Sequence, residues 1–155
     1  MYFVTCVIYR RRALLLDHVD IFWESVHFAQ EVIPFDMIAW SILSDHFHLI
    51  VKPPEKDLSE IMRRMKLKFS GLYRSLYGLA RGRIWQHRFW DHIIRNRDDM
   101  NHHLDYIHYN PVKHGLVRSP FEYQHSSIHQ YLENGHYQSD WGLVEPTGFD
   151  GEYGE

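Results

Sequence analysis

Residues 35–52, FDMIAWSILSDHFHLIVK, decide how the chain is organised. Phe35 to Leu43 predicts a strand, and Ser44-Asp45 is a short turn signal. His46 to Lys52 predicts the returning strand, so the two form an antiparallel hairpin. Side chains on a strand alternate faces, which puts His46 and His48 on one side and Phe47 on the other. The flanks extend the pattern. Tyr2 to Tyr9 (YFVTCVIY) is β-branched and aromatic and predicts a strand, closed by Arg10-Arg11-Arg12. Leu14 to Val32 predicts a helix, with Leu15, Val19, Phe22, Trp23 and Val26 near helical spacing, and Pro34 breaks it.

Beyond the hairpin, Pro53-Pro54 is a stop. Asp57 or Ser59 then caps a helix carrying Leu58, Ile61, Met62, Met65 and Leu72, whose later turns Gly71 and Gly78 weaken. Gly82 separates that helix from a fourth strand, Ile84 to Arg95. Asp98 is the expected N-cap of a third helix running to about Tyr109. Pro111 disfavours helical geometry at Asn110, so the helix is expected to end there. The order β-α-β-β-α-β followed by a helix is the split βαβ, ferredoxin-like topology. This α+β fold has an antiparallel sheet with helices on one face, here with a C-terminal extension. The expected organisation is one domain over 1–131 and a loosely ordered acidic tail over 132–155.

The bulk composition bounds the function. With 155 residues, 45% hydrophobic and 24% charged, the chain suits one globular domain. The single cysteine, Cys6, excludes a disulfide framework or a cysteine-rich zinc module, and a buried strand position in a reducing compartment suits it. No apolar run reaches the roughly 20 residues needed to span a bilayer. The opening residues have no basic region followed by an apolar one, so the cytoplasm is the expected location. Net charge is −3 but unevenly spread. Between Ile61 and Arg97 stand Arg63, Arg64, Lys66, Lys68, Arg74, Arg81, Arg83, Arg88, Arg95 and Arg97, opposed only by Asp91. Glu133 to Glu155 has no Lys or Arg. A basic middle on a mildly acidic chain suits a phosphate-binding surface, though a solvated helix face has the same composition.

Two local patterns carry chemistry. Imidazoles at 46 and 48 on one side of a strand can share a divalent ion, or simply face solvent. In LDYIHYNPVKHGLV (104–117), Tyr106 and Asn110 are four apart and share a helical face. A phenol can serve as a nucleophile and an amide oxygen can join a metal shell. The same pair also fits a half-buried tyrosine and a helix-ending asparagine.

Taken together, the motifs resemble the REP-associated tyrosine transposases, the single-tyrosine HUH group related to insertion-sequence transposases. The resemblance runs from about Tyr2 to Val117. It rests on YFVT at the start, SDHFHLIV at 44–51, MRRMK at 62–66, IWQHRFWDHIIR at 84–95 and YIHYNPVKHGLV at 106–117. It implies metal-dependent nicking and rejoining of single-stranded or hairpin DNA through a covalent 5′-phosphotyrosine. By position, Tyr106 would be the nucleophile, with Tyr109 the competing candidate. His46, His48 and Asn110 would hold Mg²⁺ or Mn²⁺. Arg63, Arg64, Lys66 and Lys68 would track the DNA backbone, with Arg81 and Arg83 beyond them, and Trp85, Phe89 and Trp90 are candidates for stacking on bases.

Relatives often carry a short DNA-reading stretch before the first strand, whereas here Met1 abuts it. The resemblance allows both a monomer and a homodimer. Three other readings use the same residues. One is a phosphodiesterase that activates water and does not need Tyr106. Another is a DNA-binding module without turnover. The third is a zinc-binding domain built on His102, His103, His108 and His114, which straddle a helix end.

Overall fold

The computed structural model describes residues 1–54, 57–146 and 153–154. Four strands form one sheet: β1 (Tyr2–Val7), β2 (Asp36–Ile42), β3 (His46–Lys52) and β4 (Trp90–Ile93), in the order β2-β3-β1-β4. Every neighbouring pair is antiparallel. The register of the central pair, β3 and β1, sets Val7 opposite His46 and Thr5 opposite His48.

The period-2 alternation divides the sheet into two faces. Val4 and Cys6 of β1 and Phe47, Leu49 and Val51 of β3 point to one side. They meet Phe22 and Val26 of α1 (Val19–Val32) and Ile61, Met65 and Phe69 of α2 (Leu58–Leu76). Phe3, Ala39 and Ile50 point to the other side, against Leu104, Tyr106 and Ile107 of α3 (Arg97–Lys113). The paired ferredoxin-like helices thus share one face as expected, and α3 covers the face that bears His46 and His48. The Cys6 thiol is fully buried, and burial pushes its pKa up to about 12, which keeps it protonated.

Several expected boundaries moved. The first helix begins at Val19, after a 3-10 turn at Leu16–His18. The fourth strand is confined to Trp90–Ile93, and residues 84–89 add only an isolated bridge between Ile8 and Trp85. The aromatics there plug the core rather than pair in a ladder. Trp85 is 6% exposed, packs against Phe47 and Phe69, and donates its indole N–H to the Lys66 carbonyl. Burial removes Trp85 from the candidate base-stacking rings.

The third helix is capped by Asn96 rather than Asp98, its side chain accepting the Asp99 N–H at 2.9 Å. It also runs through Pro111 to Lys113 instead of ending at Asn110. An interior proline costs a helix roughly 3 kcal/mol. Here the segment from Leu104 to Pro111 is almost entirely buried against β2, β3 and the following chain, and that packing outweighs the local preference.

After α3 the chain makes a 3-10 turn at Pro120–Glu122, stapled by a Ser119/Glu122 capping box, and a short helix α4 (Ile128–Glu133). It straps the outer edge of β2 through a Ser41–Ser126 bridge and the Ser127 N–H bonded to the Trp40 carbonyl. Of the segment 132–155, residues 147–152 and 155 lie outside the described residues. Tyr137 and Tyr153 in it are buried. Gly154 (φ +77°) lies so close over Trp90 that a Cβ there would clash with the Trp90 side chain. No helix among the described residues is long and apolar enough to cross a membrane.

Candidate functional site

The strand alternation and the β1–β3 register build the site's floor. His46 and His48 are buried, with ring centroids 4.9 Å apart. Each has a second residue fixing its tautomer. His46 Nδ1 lies 2.7 Å from Asp45 Oδ1, so it donates to the carboxylate and leaves Nε2 as a lone pair. Burial pushes the Asp45 carboxyl up, but its hydrogen bonds to His46 and Arg11 and their charges outweigh this and hold it below its ordinary value. His48 Nδ1 lies 2.7 Å from Thr5 Oγ1. That hydroxyl donates its own proton to the Tyr153 carbonyl, so it accepts from Nδ1–H, and Nε2 is the acceptor nitrogen of the His48 ring. Two imidazoles on one face, each oriented through Nδ1 by an oxygen, form a donor set that fits a divalent metal.

Helix α3 forms the roof. The Tyr106 ring stands edge-on to His48, centroids 5.4 Å apart. The His114 ring lies 5.1 Å from that of His46. Asn110 is fully buried and sits midway between them on the same helical face, one turn from each. Lys113 donates from Nζ to Tyr106 Oη at 3.3 Å and lies 4.7 Å above its ring. Tyr106 is 1% exposed because Tyr153 lies face to face on it, centroids 3.5 Å apart and planes 9° apart. Tyr109 is turned elsewhere. It neighbours Trp141, and burial, with the Glu145 charge second, raises its pKa.

The structure therefore brings His46, His48, Tyr106 and Asn110 together. It sets the α2 cations apart, across the sheet from the histidines. Arg63 is held by Glu60 at 2.6 Å and Arg64 by the same carboxylate at 2.8 Å. Lys68 pairs with Glu24, and Lys66 bonds the carbonyls of Gln86 and His87. Arg81 and Arg83 are exposed on the loop before β4, where the Arg83 guanidinium lies 5.0 Å from the Tyr9 ring.

The remaining histidines divide among separate environments. His102 bonds the Tyr153 hydroxyl, and His108 sits between Tyr137 and Ser127. His103 joins His92 on Asp99. His92, Asp99 and His103 are the group of three potential ligands whose donor atoms lie within 4.8 Å of one another among the described residues. That carboxylate also accepts the Arg95 N–H, so the trio ties β4 to α3.

Sequence reasoning gave Thr5, Asp45 and Lys113 no part in the site and placed His114 only in the zinc-binding alternative. Lys113 and His114 follow Tyr106 by seven and eight residues, a helical spacing that the expected break at Pro111 concealed.

The class is set by the fold together with a match to the family described as "Transposase IS200 like" over residues 1–110. A Haemophilus influenzae protein assigned as a REP-associated tyrosine transposase is 34% identical over 153 residues, covering 92% of this chain and 87% of the relative. The REP-associated tyrosine transposase of Escherichia coli K12 is 36% identical over 134 residues, covering 85% and 78%. A REP-associated tyrosine transposase solved bound to a REP hairpin superposes with a TM-score of 0.82 at 35% identity, over 97% of this chain and 90% of that one. A transposase-like protein of Deinococcus radiodurans shares the fold alone, with a TM-score of 0.51 at 12% identity. The chain belongs to the IS200-like transposases and, within them, stands with the REP-associated tyrosine transposases.

Proposed function

We propose that this transposase nicks and rejoins single-stranded hairpin DNA in the cytoplasm through a covalent 5′-phosphotyrosine on Tyr106. The observation that carries the reading is the pair of His46 and His48 imidazoles on one face of β3, oriented through Nδ1 by Asp45 and Thr5, with the Tyr106 ring beside His48. His46, His48 and Asn110 would hold Mg²⁺ or Mn²⁺, and imidazole donors favour the more nitrogen-tolerant Mn²⁺. When bound, such an ion would supply positive charge to polarise the scissile phosphate.

The residues of the chain supply the rest. Tyr106 Oη attacks the phosphorus, the phenolic proton leaves to solvent, and the bond to the 3′-oxygen breaks, releasing a 3′-hydroxyl. Lys113, already within reach of Oη, places positive charge beside an oxygen that must lose its proton. The tyrosyl phosphodiester keeps the bond energy, so attack by a second 3′-hydroxyl rejoins DNA and regenerates the phenol. The Tyr153 ring occupies the open face of Tyr106 and lifts before a phosphate approaches. Hairpin DNA is the proposed partner because the REP-associated transposase of known structure was solved with one.

The test is a labelled stem–loop oligonucleotide incubated with protein and Mn²⁺, run on a denaturing gel. Wild type is expected to give an SDS-stable adduct that maps to Tyr106. Tyr106→Phe should lose both adduct and cleavage while keeping its fold and DNA affinity, and Tyr109→Phe should keep the adduct. Cleavage by Tyr106→Phe would favour a water-using phosphodiesterase, and binding without cleavage by wild type an inactive binding module. An adduct on Tyr109 would overturn the assignment.

A further inference from the structure

The turn after β1 joins the histidine site to a basic pocket. Tyr9, Arg10 and Arg11 form a 3-10 turn in which Arg10 (φ 60°) and Arg11 (φ 49°) are both left-handed. Side chains disfavour that region, and two such residues in succession need outside support. Arg12 gives it, donating to the Tyr9 carbonyl and, across the chain, to the Arg83 carbonyl at 2.9 Å. The result is a division of labour. Arg11 reaches Asp45, the partner of His46. Arg10 turns the other way, its guanidinium 5.4 Å from the Tyr9 ring.

Tyr9 and Arg10, with Arg83, Gln86, His87 and Arg88, line an open surface cavity of about 470 Å³. Gln86 and Arg88 also line an adjoining cavity of about 510 Å³ whose floor includes Thr5. The two cavities share Gln86 and Arg88 as walls, and the inner one reaches Thr5, whose hydroxyl is bonded to His48, so together they lead from beside the histidines towards the Tyr9 ring. Three arginines that the structure places in the solvent, Arg10, Arg83 and Arg88, stand along the outer cavity. A half-buried tyrosine among guanidinium groups combines a stacking surface with phosphate ligands, the two elements of a single-strand binding groove.

We propose that this path is the groove for the single-stranded DNA flanking the scissile phosphate, with one base stacked on Tyr9 and its backbone held by Arg10, Arg83 and Arg88. The inference rests on the function proposed above and locates the strand on the β1 turn and the loop before β4. The clustered cations of α2, three of which already face Glu60 or Glu24, play no part in it.

The probe is a stem–loop DNA oligonucleotide with single-stranded flanks carrying 2-aminopurine at successive positions. The protein is the full chain with Tyr106→Phe, so cutting does not interfere. Binding should quench one flank position. Adding Tyr9→Leu should restore its emission, and adding Tyr9→Phe, which keeps the ring, should retain the quench. Replacing Arg10, Arg83 and Arg88 together by Gln should reduce the log–log salt slope of binding by about 2, at roughly 0.7 per lost phosphate contact. Replacing Arg63, Arg64 and Lys68 by Gln should leave the slope unchanged.

A quench that survives Tyr9→Leu, or an unchanged slope in the Arg10, Arg83, Arg88 variant, overturns the proposal, with circular dichroism confirming that each variant is folded. Failure of wild type to form an adduct would sink the phosphotyrosine reading alone, because this measurement needs only binding.

Discussion

Acid should loosen the helix that carries Tyr106, and His108 is the reason. This imidazole is fully buried two residues past Tyr106 and is bonded on both sides. The Tyr137 hydroxyl donates to Asp105, so it accepts from His108 Nδ1–H at 3.0 Å. The Ser127 hydroxyl meets Nε2 at 2.8 Å. The neutral ring is thereby satisfied, while a charged one is desolvated. Burial, reinforced by the His136 charge, lowers the pKa from 6.5 to about 3.

The folded pKa lies below the unfolded one, so the unfolded chain takes the proton first. The stabilisation is complete above pH 6.5 and is lost as the pH falls towards 3. Linkage puts the loss for this one group at about 1.4 kcal/mol by pH 5.5 and about 2 kcal/mol by pH 5. Burial also lowers His103, and it raises Asp105, whose effect has the opposite sign, but both remain in a His108 variant and cancel in a comparison. The assay is urea unfolding of wild type and His108→Gln at pH 8 and pH 5.5. His108→Gln should be less stable at pH 8, and its further drop at pH 5.5 should be smaller than that of wild type by about 1.4 kcal/mol. Equal drops in the two proteins would refute the reasoning.

Two further outcomes follow from the site. Asp45→Asn removes the carboxylate behind His46 and should weaken Mn²⁺ binding by about 10- to 100-fold, read by calorimetric titration; unchanged affinity would show that His46 needs no oriented partner. Tyr153→Ala should uncover Tyr106 and speed single-turnover cleavage by about 2- to 10-fold, the worth of one aromatic stack, and an unchanged rate would show that the lid opens at no cost.

What the sequence displayed were the features set by short-range periodicity. The alternation at 46–48 put both histidines on one face, and the four-residue step from 106 to 110 put phenol and amide on another. Thr5 was invisible because its role depends on register: only the pairing of β1 with β3 sets it opposite His48. Lys113 and His114 were hidden by a local rule that tertiary packing overrode at Pro111. The run of aromatics at 84–90 has strand composition, but burying Trp85 against Phe69 diverts it from the ladder, because composition does not specify which partner a ring will find. At 63–68 the sequence displays four cations in six residues but not their partners: Glu24, from another helix, and Glu60 pair with three of them.

The packing of α3 onto its own sheet has a consequence for stoichiometry. Tyr106 stands beside His48, and His114 beside His46, within one polypeptide. Among the described residues the constellation is assembled from a single chain. Nicking should therefore be first order in protein with no threshold concentration, and a mixture of a chain lacking its histidines with a chain lacking its tyrosine has no route to a complete centre.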